Sequence, residues 1–476
     1  MLLIALVINY LDRQVLSLTW EEFIKPEFNW SKGDYGLITG VFSLVYAVAM
    51  LFAGRMIDYL GTKRGYAVAI GVWSAGACLH TLCGIMTCGI VTGDWIFSFT
   101  GSSEHIHSSV EASAALAMSV TTVSVWLFIV ARVVLSIGEA GNFPSSIKAV
   151  AEYFPKKDRG FATGIFNSGA QIGALVAPFV ILPIAAHFGW EMSFFIIGML
   201  GFVWLGAWLF IYLPPRKNPK VNAAELAYIE QDNVADARLQ HETVAEEVKE
   251  NNEAKVGLLK PFTFRQTWAV IFGRFFPDSV WWFLLFWIPT LIKEIGGCDP
   301  SSMLGMTAIA TVYLISMLSL AGSYLPTYFI NRSKLNPYSG RMKGMFVFAL
   351  FPLIGLGAIP LGYINMWFAV VIIGIMAAAH QSWSANVYNV VSDMFPKSVV
   401  ATVTGAAGLA SGLGSFMSNY GAGRLFDYAE KSHMSFLGFH DQYAGYMIFF
   451  IFASFAYLLS WTIMKILVPK YKLVKL

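Results

Sequence analysis

Charged residues are scarce in this 476-residue sequence: Asp, Glu, Lys and Arg together make up 13% of it, and 57% of the residues are hydrophobic. A soluble domain carries about 25% charged residues. The scarcity excludes a water-covered surface over most of a chain this size, so we expect the lipid bilayer to cover it. The formal net charge of +3 is small, and nothing in it predicts nucleic acid as a partner.

Cysteine is scarce too, since the chain has four, Cys78, Cys83, Cys88 and Cys298. They predict no disulfide framework. The first three are spaced by fives, and each such step turns a helical side chain by about 140° beyond a full turn, so they do not converge on one metal ion. The sequence also lacks a phosphate-binding P-loop and a nucleophile triad. We therefore expect no enzyme activity, no metal and no cofactor.

Long apolar runs, by contrast, are abundant. A bilayer core of about 30 Å needs roughly 20 apolar residues per helix, and twelve stretches of the chain meet this need. We predict an all-α, multi-pass membrane protein with twelve transmembrane helices. The predicted segments, numbered 1 to 12, are 2–19, 35–58, 64–90, 117–150, 160–186, 191–213, 266–294, 303–330, 343–362, 365–392, 400–427 and 441–468.

Two longer polar stretches interrupt the apolar pattern. Residues 91–116 are rich in Ser, Gly and His and predict an external loop. The second stretch is the most charged part of the chain and divides the segments six and six; within it, Asn222 and Glu225 predict a capping box that opens a short amphipathic helix at the membrane surface. The predicted parts are an N-terminal half at 1–213, a cytoplasmic central loop at 214–265 and a C-terminal half at 266–476.

The distribution of Lys and Arg predicts the orientation. Basic residues concentrate in the connections on the side of both termini, whereas the short connections after segments 3, 5 and 9 hold none. The positive-inside rule then places both termini in the cytoplasm. The main exceptions on the other side are Lys25, Lys32, Lys293 and Lys431.

An internal repeat relates the two halves. Phe-Pro-Lys at 154–156 recurs at 395–397, and Thr-Gly at 163–164 recurs at 404–405, with the same offset of 241 residues. This register places segment 4 on segment 10 and segment 5 on segment 11. Parallel repeats of this kind build the two halves of the major facilitator fold, with a substrate site between them near the middle of the membrane.

The connection between segments 2 and 3 carries a signature. Gly54, Asp58, Gly61, Lys63 and Arg64 resemble the major facilitator pattern of Gly, Asp four residues later, then Gly and two basic residues. The glycines allow a tight turn and close helix approach, and Asp58 can accept backbone N–H groups near a helix N-terminus. The motif implies a gating latch that does not contact substrate.

Longer motifs resemble a narrower group. Asn-Tyr-Leu-Asp-Arg at 9–13, together with Arg132 and the run 139–144, looks like the anion:cation symporter family. The runs 273–289 and 380–386 resemble the bacterial hexuronate branch, whose substrates are glucuronate and galacturonate. The resemblance covers the whole chain. It implies proton-coupled symport of a sugar acid by alternating access across the inner membrane of a bacterium.

Four charged residues fall deep within predicted segments 1 and 4. Asp12 lies roughly 16 Å into its helix at 1.5 Å per residue, and Arg132 and Glu139, seven residues apart, share one helix face. Inserting a charged side chain at the centre of a membrane helix costs about 2.5–3.5 kcal/mol. We therefore expect these four residues to line a cavity and to pair with one another. One interpretation is a static ion-pair network. The other, which the resemblance implies, is that Arg13 and Arg132 bind a carboxylate while Asp12 and Glu139 carry protons.

Further polar and aromatic residues fall on the segments expected to line the cavity. Each one could equally make an interhelical hydrogen bond. Trp383 could stack on a pyranose ring, Trp281 and Trp282 fit either a gate or packing, and His380 is either a second protonation site or a satisfied core histidine. The candidate substrate-binding residues beside the arginines are Tyr10, Tyr46, Asn142, Gln171, Gln381, Ser382, Trp383 and Asn386.

Other functions stay open at this stage. The substrate could be another carboxylate (an aldonate, an aldarate or an aromatic acid), and Gly408 stands where some sugar-acid relatives carry Asn. The coupling ion could be sodium. A non-transporting nutrient receptor would need a large signalling domain, for which 214–265 is too short and too polar. The expected partners are a small organic anion, a proton and lipid, and we expect a monomer.

Overall fold

The computed structural model describes residues 1–231, 260–322, 324–333 and 336–474. Every predicted segment is helical within these residues, so the fold class is confirmed. Nine helices in the described part are long and apolar enough to cross a membrane. One of them, Lys32–Thr81, covers segments 2 and 3, so the nine helices account for ten segments. Residues 232–259 of the predicted central loop lie outside the described residues.

The other two membrane segments are less regular or less apolar. Segment 8 is divided into Met303–Ser316, Ser319–Gly322 and Leu325–Ser333. Segment 11 is one helix, Lys397–Lys431, whose many Gly and Ser residues lower its hydropathy. These residues let neighbouring helices approach closely, which is a common use of small residues in membranes.

The N-terminal half has the following elements. Segment 1 runs through Leu2–Thr19, a π-helical turn at Trp20–Ile24 and Lys25–Phe28. The remaining helices are Lys32–Thr81, Cys83–Thr92, Phe99–Ala112, Ala114–Glu139, Asn142–Tyr153, Lys156–Phe188 and Trp190–Ile211.

The central stretch and the C-terminal half follow. Short 3-10 turns cover Pro215–Lys217, Lys260–Thr263 and Phe351–Gly357, and a two-stranded hairpin pairs Ser435–Phe436 with Phe439–His440. The helices, besides those of segments 8 and 11, are Ala223–Ile229, Arg265–Gly296, Pro337–Leu350, Ala358–Ile364, Met366–Met394 and Gln442–Leu467.

Two local predictions have clear outcomes. The predicted helix after Asn222 is confirmed, because the Asn222 side chain accepts a hydrogen bond from the Glu225 backbone N–H at 2.8 Å. The prediction of a loop at 91–116 is wrong in part, since Phe99–Ala112 is a helix capped by Ser98. Its mostly polar sequence carries little apolar periodicity, so the helix gave a weak signal.

The repeated Phe-Pro-Lys motif has the same backbone in both copies. Phe154 and Phe395 are extended, with φ/ψ of −126°/134° and −114°/144°, and each ends a helix. Pro155 and Pro396 follow at −63°/156° and −64°/150° and begin the next helix. Proline pre-sets the φ value of a helix start and lacks the N–H that would be unsatisfied there. The same sequence therefore makes the same corner twice.

Glycines set the close packing around the site. A Cβ on Gly138 would lie 2.2 Å from the Trp73 backbone nitrogen, and one on Gly76 would lie 2.4 Å from that of Leu135. Segments 3 and 4 therefore touch backbone to backbone, which fixes the depth of Arg132 and Glu139 against segment 3. The ends of the helices define two faces of the molecule: the terminal face, at residues 54–64, 150–160 and 390–400, and the far face, at residues 20–36, 286–300 and 419–442.

Candidate functional site

The four buried charges of segments 1 and 4 form the centre of the site. Arg13 is 5% exposed, Arg132 is 1% exposed, and Asp12 and Glu139 are fully buried. Arg13 Nε donates a hydrogen bond of 2.6 Å to Glu139 Oε2, so these two side chains form a buried ion pair between the segments. The structure thus brings all four residues together but pairs only two of them directly.

Arg132 contributes unmatched polar atoms next to Asp12. All three guanidinium nitrogens of Arg132 are buried without a hydrogen-bond partner among the described residues, and the buried Asp12 carboxylate has the Trp73 indole N–H as its hydrogen-bonding neighbour. The charged neighbours of Asp12 are Glu139, Arg132 and Arg13. Buried polar groups are normally satisfied, and each exception calls for an explanation. A site that receives additional polar groups during its working cycle is such an explanation.

A small cavity opens beside the ion pair. Its volume is about 90 Å³, and both Arg13 and Glu139 line it. Glu139 Oε1 and the amide nitrogens of Asn9 and Asn142 also lie on this wall, and Asn9 is a hydrogen-bonding neighbour of Glu139. The Asn142 carbonyl oxygen accepts a hydrogen bond of 2.6 Å from the Tyr66 hydroxyl. The cavity therefore presents the unmatched Asn142 amide nitrogen next to the buried ion pair. Its lining residues are Leu6, Asn9, Tyr10, Arg13, Tyr46, Glu139, Asn142, Phe143, Asn167 and Ala170.

Aromatic rings from both halves surround Arg13. Its guanidinium carbon lies 4.6 Å from the ring centre of Tyr46, 5.2 Å from that of Tyr10 and 5.4 Å from that of Trp282. Contacts of this kind attract a cation to the ring face. Trp282 belongs to segment 7, so it joins the C-terminal half to the charged centre of the N-terminal half.

A second buried ion pair lies in the C-terminal half. Arg274 Nη2 is 2.7 Å from Asp278 Oδ2, and Arg274 Nη1 donates to Ser384 at 2.5 Å. His380 stacks on Trp281 with ring centres 5.0 Å apart, and its Nδ1 is 3.0 Å from the Tyr457 hydroxyl. Sequence reasoning did not single out this pair. The signal was present, because opposite charges four residues apart in an apolar segment share one helix face.

Trp383 is placed in the packed interior of the C-terminal half. It is fully buried, its indole N–H donates to the Gly273 carbonyl at 2.8 Å, and its ring meets Tyr457 edge-on. Pro277 lies four residues after Gly273 and has no N–H to donate to that carbonyl. Trp383 therefore satisfies the carbonyl that the proline leaves open. This role is structural, and the predicted stacking on a sugar ring stays a prediction.

The other predicted substrate residues differ in their freedom to bind. The Ser382 hydroxyl hydrogen-bonds to the carbonyls of Ala378 and Ser319, and the Asn386 side chain donates to the Ser382 carbonyl at 2.8 Å. The side chains of Ser382 and Asn386 therefore both already bond to backbone carbonyls. Gln171 and Gln381 are half-buried. Their binding roles stay predictions.

The signature between segments 2 and 3 makes a turn at Gly61, where φ is 76° and ψ is 160°. Only glycine adopts this backbone without strain. The sequence suggested that Asp58 accepts backbone N–H groups, but among the described residues it accepts none. Its carboxylate instead lies 2.8 Å from Lys148 Nζ of segment 4. Lys148 also donates to the Ile57 carbonyl, so this connection is tied to segment 4 of the same half, and its gating role stays a prediction.

Contacts between the halves concentrate on the far face. Trp20 Nε1 donates to Thr290 at 3.0 Å, and the Tyr35 hydroxyl donates to the Phe286 carbonyl at 2.7 Å. Asp427 accepts hydrogen bonds from the backbone N–H groups of Lys32 and Gly33 at 3.0 and 2.7 Å. Among residues whose side chains the structure describes, no hydrogen bond or ion pair joins the halves on the terminal face.

Three of the four lysines that depart from the charge pattern are neutralised on this face. Lys25 pairs with Glu21 at 2.6 Å, Lys293 with Glu22 at 2.6 Å and Lys32 with Glu294 at 3.5 Å. The last two pairs cross between the halves. Lys32 and Lys293 therefore add ion pairs between the halves on the far face, whereas the Lys25 pair lies within segment 1.

Comparison with known proteins finds relatives over most of the chain. The model of the Major Facilitator Superfamily matches residues 2–102 and 108–419. The chain is 28% identical over 460 residues to the hexuronate transporter of Escherichia coli (strain K12), covering 96% of this chain and 91% of the relative. It is 27% identical over 359 residues to the galacturonate transporter of Dickeya chrysanthemi, covering 75% of this chain and 88% of the relative.

Solved structures share the fold. A bacterial homolog of the human lysosomal transporter Spinster has a TM-score of 0.64 at 17% identity, with 98% of this chain and 95% of that chain covered. The xylose transporter XylE from Escherichia coli has a TM-score of 0.58 at 15% identity, with 97% and 94% covered. These relatives are transporters and not enzymes. With its helical architecture and a family match over most of its length, this multi-pass membrane chain belongs to the Major Facilitator Superfamily.

Proposed function

We propose that the protein is a symporter that takes up a hexuronate, glucuronate or galacturonate, together with protons. One observation carries the proposal: Arg13 forms a buried ion pair with Glu139 on the wall of a cavity that also presents the unmatched amide nitrogen of Asn142. The relatives named above, whose names specify hexuronate and galacturonate, support the choice of substrate class.

Coupling follows from competition for Arg13. A substrate carboxylate that binds the Arg13 guanidinium takes the place of Glu139 Oε2, because both are anions that need the same donors. Once displaced, Glu139 is a buried carboxylate without its countercharge, and burial then favours the protonated form. Arg132, with three unmatched donors next to Asp12, offers a second arginine for the substrate. Anion binding and protonation are thereby linked.

The conformation and orientation complete the proposal. The terminal face is the cytoplasmic face, in keeping with the excess of Lys and Arg there, and the far face is external. The hydrogen bonds and ion pairs that cross between the halves on the far face, with none among the described side chains on the terminal face, support an inward-facing state. Rocking of the two six-helix halves would break those contacts and close the terminal face, which is alternating access in this fold.

A binding screen tests the substrate class. Purified protein is heated in the presence of sugar acids, and a ligand that binds the folded state raises the unfolding temperature by mass action. Glucuronate and galacturonate are expected to stabilise the protein, whereas the neutral sugars glucose and galactose, which lack the carboxylate, are not. Stabilisation by an aldarate or an aromatic acid, with none by either hexuronate, would disprove the substrate assignment.

A further inference from the structure

A large basic pocket lies on the terminal face, away from the charged centre. Its volume is about 780 Å³. The connection between segments 2 and 3, the end of segment 4 and the stretch that follows segment 6 form its walls. Five basic side chains and two acidic ones line it: Lys63, Arg64, Arg159, Arg216, Lys217, Glu152 and Glu230.

Both carboxylates of the pocket already have partners in its wall. Glu152 accepts hydrogen bonds from the hydroxyls of Thr62 and Tyr212. Glu230 pairs with Arg216, whose Nη2 donates to it at 3.0 Å. This contact lowers the pKa of Glu230 and raises that of Arg216, so the two stay charged and cancel each other. The acidic groups therefore leave most of the positive charge uncompensated.

The remaining cations have no such partner. Lys63, Arg64 and Lys217 lie beyond ion-pair distance of every carboxylate in the described part of the chain. Arg159 is turned onto the wall, where it donates to the carbonyls of Phe154 and Ala151 at 3.0 and 3.1 Å. Three cations on one concave surface repel one another unless an anion lies between them. The pocket thus has the charge and the size for an anionic ligand.

The walls are held in place by side chains that do not carry this charge. Trp208 Nε1 donates to the Lys63 carbonyl at 3.1 Å, and Asn218 Nδ2 donates to the Tyr153 hydroxyl at 3.1 Å. Tyr153 in turn donates to the Leu213 carbonyl. These bonds tie three separate parts of the chain together, so the pocket is built into the fold and does not depend on its lysines.

The position of the pocket indicates a lipid as its occupant. It begins where segment 6 leaves the apolar region, and the last residues of that segment, Phe210 and Ile211, are 88% and 59% exposed. Acyl chains can lie along this surface while the headgroup reaches the cations. Basic pockets at the ends of membrane helices commonly bind the headgroups of anionic phospholipids. We propose that this pocket binds the phosphate headgroup of an anionic phospholipid.

A titration with short-chain lipids tests this proposal on the full chain in detergent. The readout is the unfolding temperature, followed by tryptophan fluorescence. Dioctanoyl phosphatidylglycerol is expected to raise it saturably, and dioctanoyl phosphatidylcholine, with the same chains and no net charge, is not. Glycerol 3-phosphate supplies the headgroup alone. Equal stabilisation by phosphatidylcholine would overturn the proposal, and equal stabilisation by glycerol 3-phosphate would assign the pocket to a soluble phosphate compound instead.

Variants locate the effect. The double variant Arg64→Gln/Lys217→Gln is expected to weaken the apparent affinity for phosphatidylglycerol about 25-fold, at about fivefold per charge. Glu230→Gln frees Arg216 and is expected to strengthen the apparent affinity for phosphatidylglycerol about fivefold.

Lys220→Gln removes an exposed charge from the same stretch outside the pocket and serves as the matched control. If the double variant is unstable, Lys217→Gln alone decides, because that side chain is exposed. Unchanged affinity for phosphatidylglycerol in the double variant or in Lys217→Gln would refute the assignment. A loss of affinity in Lys220→Gln as large as that in the double variant would also refute it.

Discussion

At the scale of the residue, Glu139 is proposed to couple the proton to the substrate. In Glu139→Gln the side chain keeps its shape and can still accept a bond from Arg13, but it can no longer gain or lose a proton. We expect proton-driven accumulation to fall at least tenfold, while exchange of labelled for unlabelled substrate continues. Both are measured in proteoliposomes. Accumulation at the level of the unaltered protein would show that Glu139 is not the coupling residue.

Arg13 is expected to require its guanidinium and not only its charge. Arg13→Lys keeps the positive charge but loses the planar fork that matches a carboxylate and weakens the stacking on Tyr46. We expect the KM for the sugar acid to rise about tenfold or more. Arg55→Lys, at an exposed position, is the matched control. The account is contradicted if the two variants transport with the same KM.

Trp383 and Pro277 provide a test of the structural role found here. Trp383→Phe leaves the Gly273 carbonyl buried and unpaired, which costs about 1–3 kcal/mol. Adding Pro277→Ala restores an N–H four residues later, so we expect the double variant to recover much of the stability lost in the single one. Thermal unfolding measures this. Purely additive losses would show that the carbonyl is not the shared partner.

The sequence predicts part of this site well, for a physical reason. Asp12, Arg13, Arg132 and Glu139 stand out because charge is costly in apolar segments. The role of Trp383 could not be predicted, because its hydrogen-bond partner is a backbone carbonyl 110 residues away in sequence. The residues around Trp383 give no sign that this carbonyl lacks a helical partner. Arg274 and Asp278 were detectable from their spacing, yet only the structure shows that Ser384 and His380 join them.

At the scale of the element, the start of segment 2 is held by the other half of the molecule. Asp427 accepts the backbone N–H groups of Lys32 and Gly33, which are among the first of that helix. Capping contacts of this kind contribute about 0.5–2 kcal/mol. We expect Asp427→Ala to weaken the closure of the far face and to shift the population toward the outward-facing state.

The shift is measured by labelling a single cysteine placed on the far side of the site. The labelling rate is expected to rise about three- to tenfold in Asp427→Ala. Asp94→Ala, an exposed carboxylate on the same face, should leave the rate unchanged. A rate that does not respond to Asp427→Ala would mean that this cap does not hold the far face closed.

Several elements were predictable from simple patterns, and others were not. Repeated Phe-Pro-Lys motifs make the same corner twice because proline fixes the local backbone. The helix Phe99–Ala112 could not be predicted, because its sequence has no apolar stripe of helical spacing that is long enough. The partner of Asp58 was missed because Lys148 lies 90 residues away in sequence, and short-range reasoning favours the nearest backbone groups.

At the scale of the whole molecule, apolar composition and the internal repeat are enough to predict a twelve-helix facilitator. They do not predict its conformation, because opening and closing use the same helices and differ only in which surfaces meet. The contacts of Trp20, Tyr35 and Asp427 across the far face are the observation on which the proposed inward-facing state rests. The proposed cycle exchanges these contacts for a closed terminal face.

Proton-driven uptake tests the central claim most directly. Proteoliposomes containing the purified protein are given labelled glucuronate outside, with the outside more acidic than the inside and no sodium present. The account predicts accumulation above the external concentration, and collapse of that gradient when a protonophore is added. Absence of accumulation of both glucuronate and galacturonate under the proton gradient would contradict it, as would accumulation that appears only when a sodium gradient replaces the proton gradient in parallel vesicles.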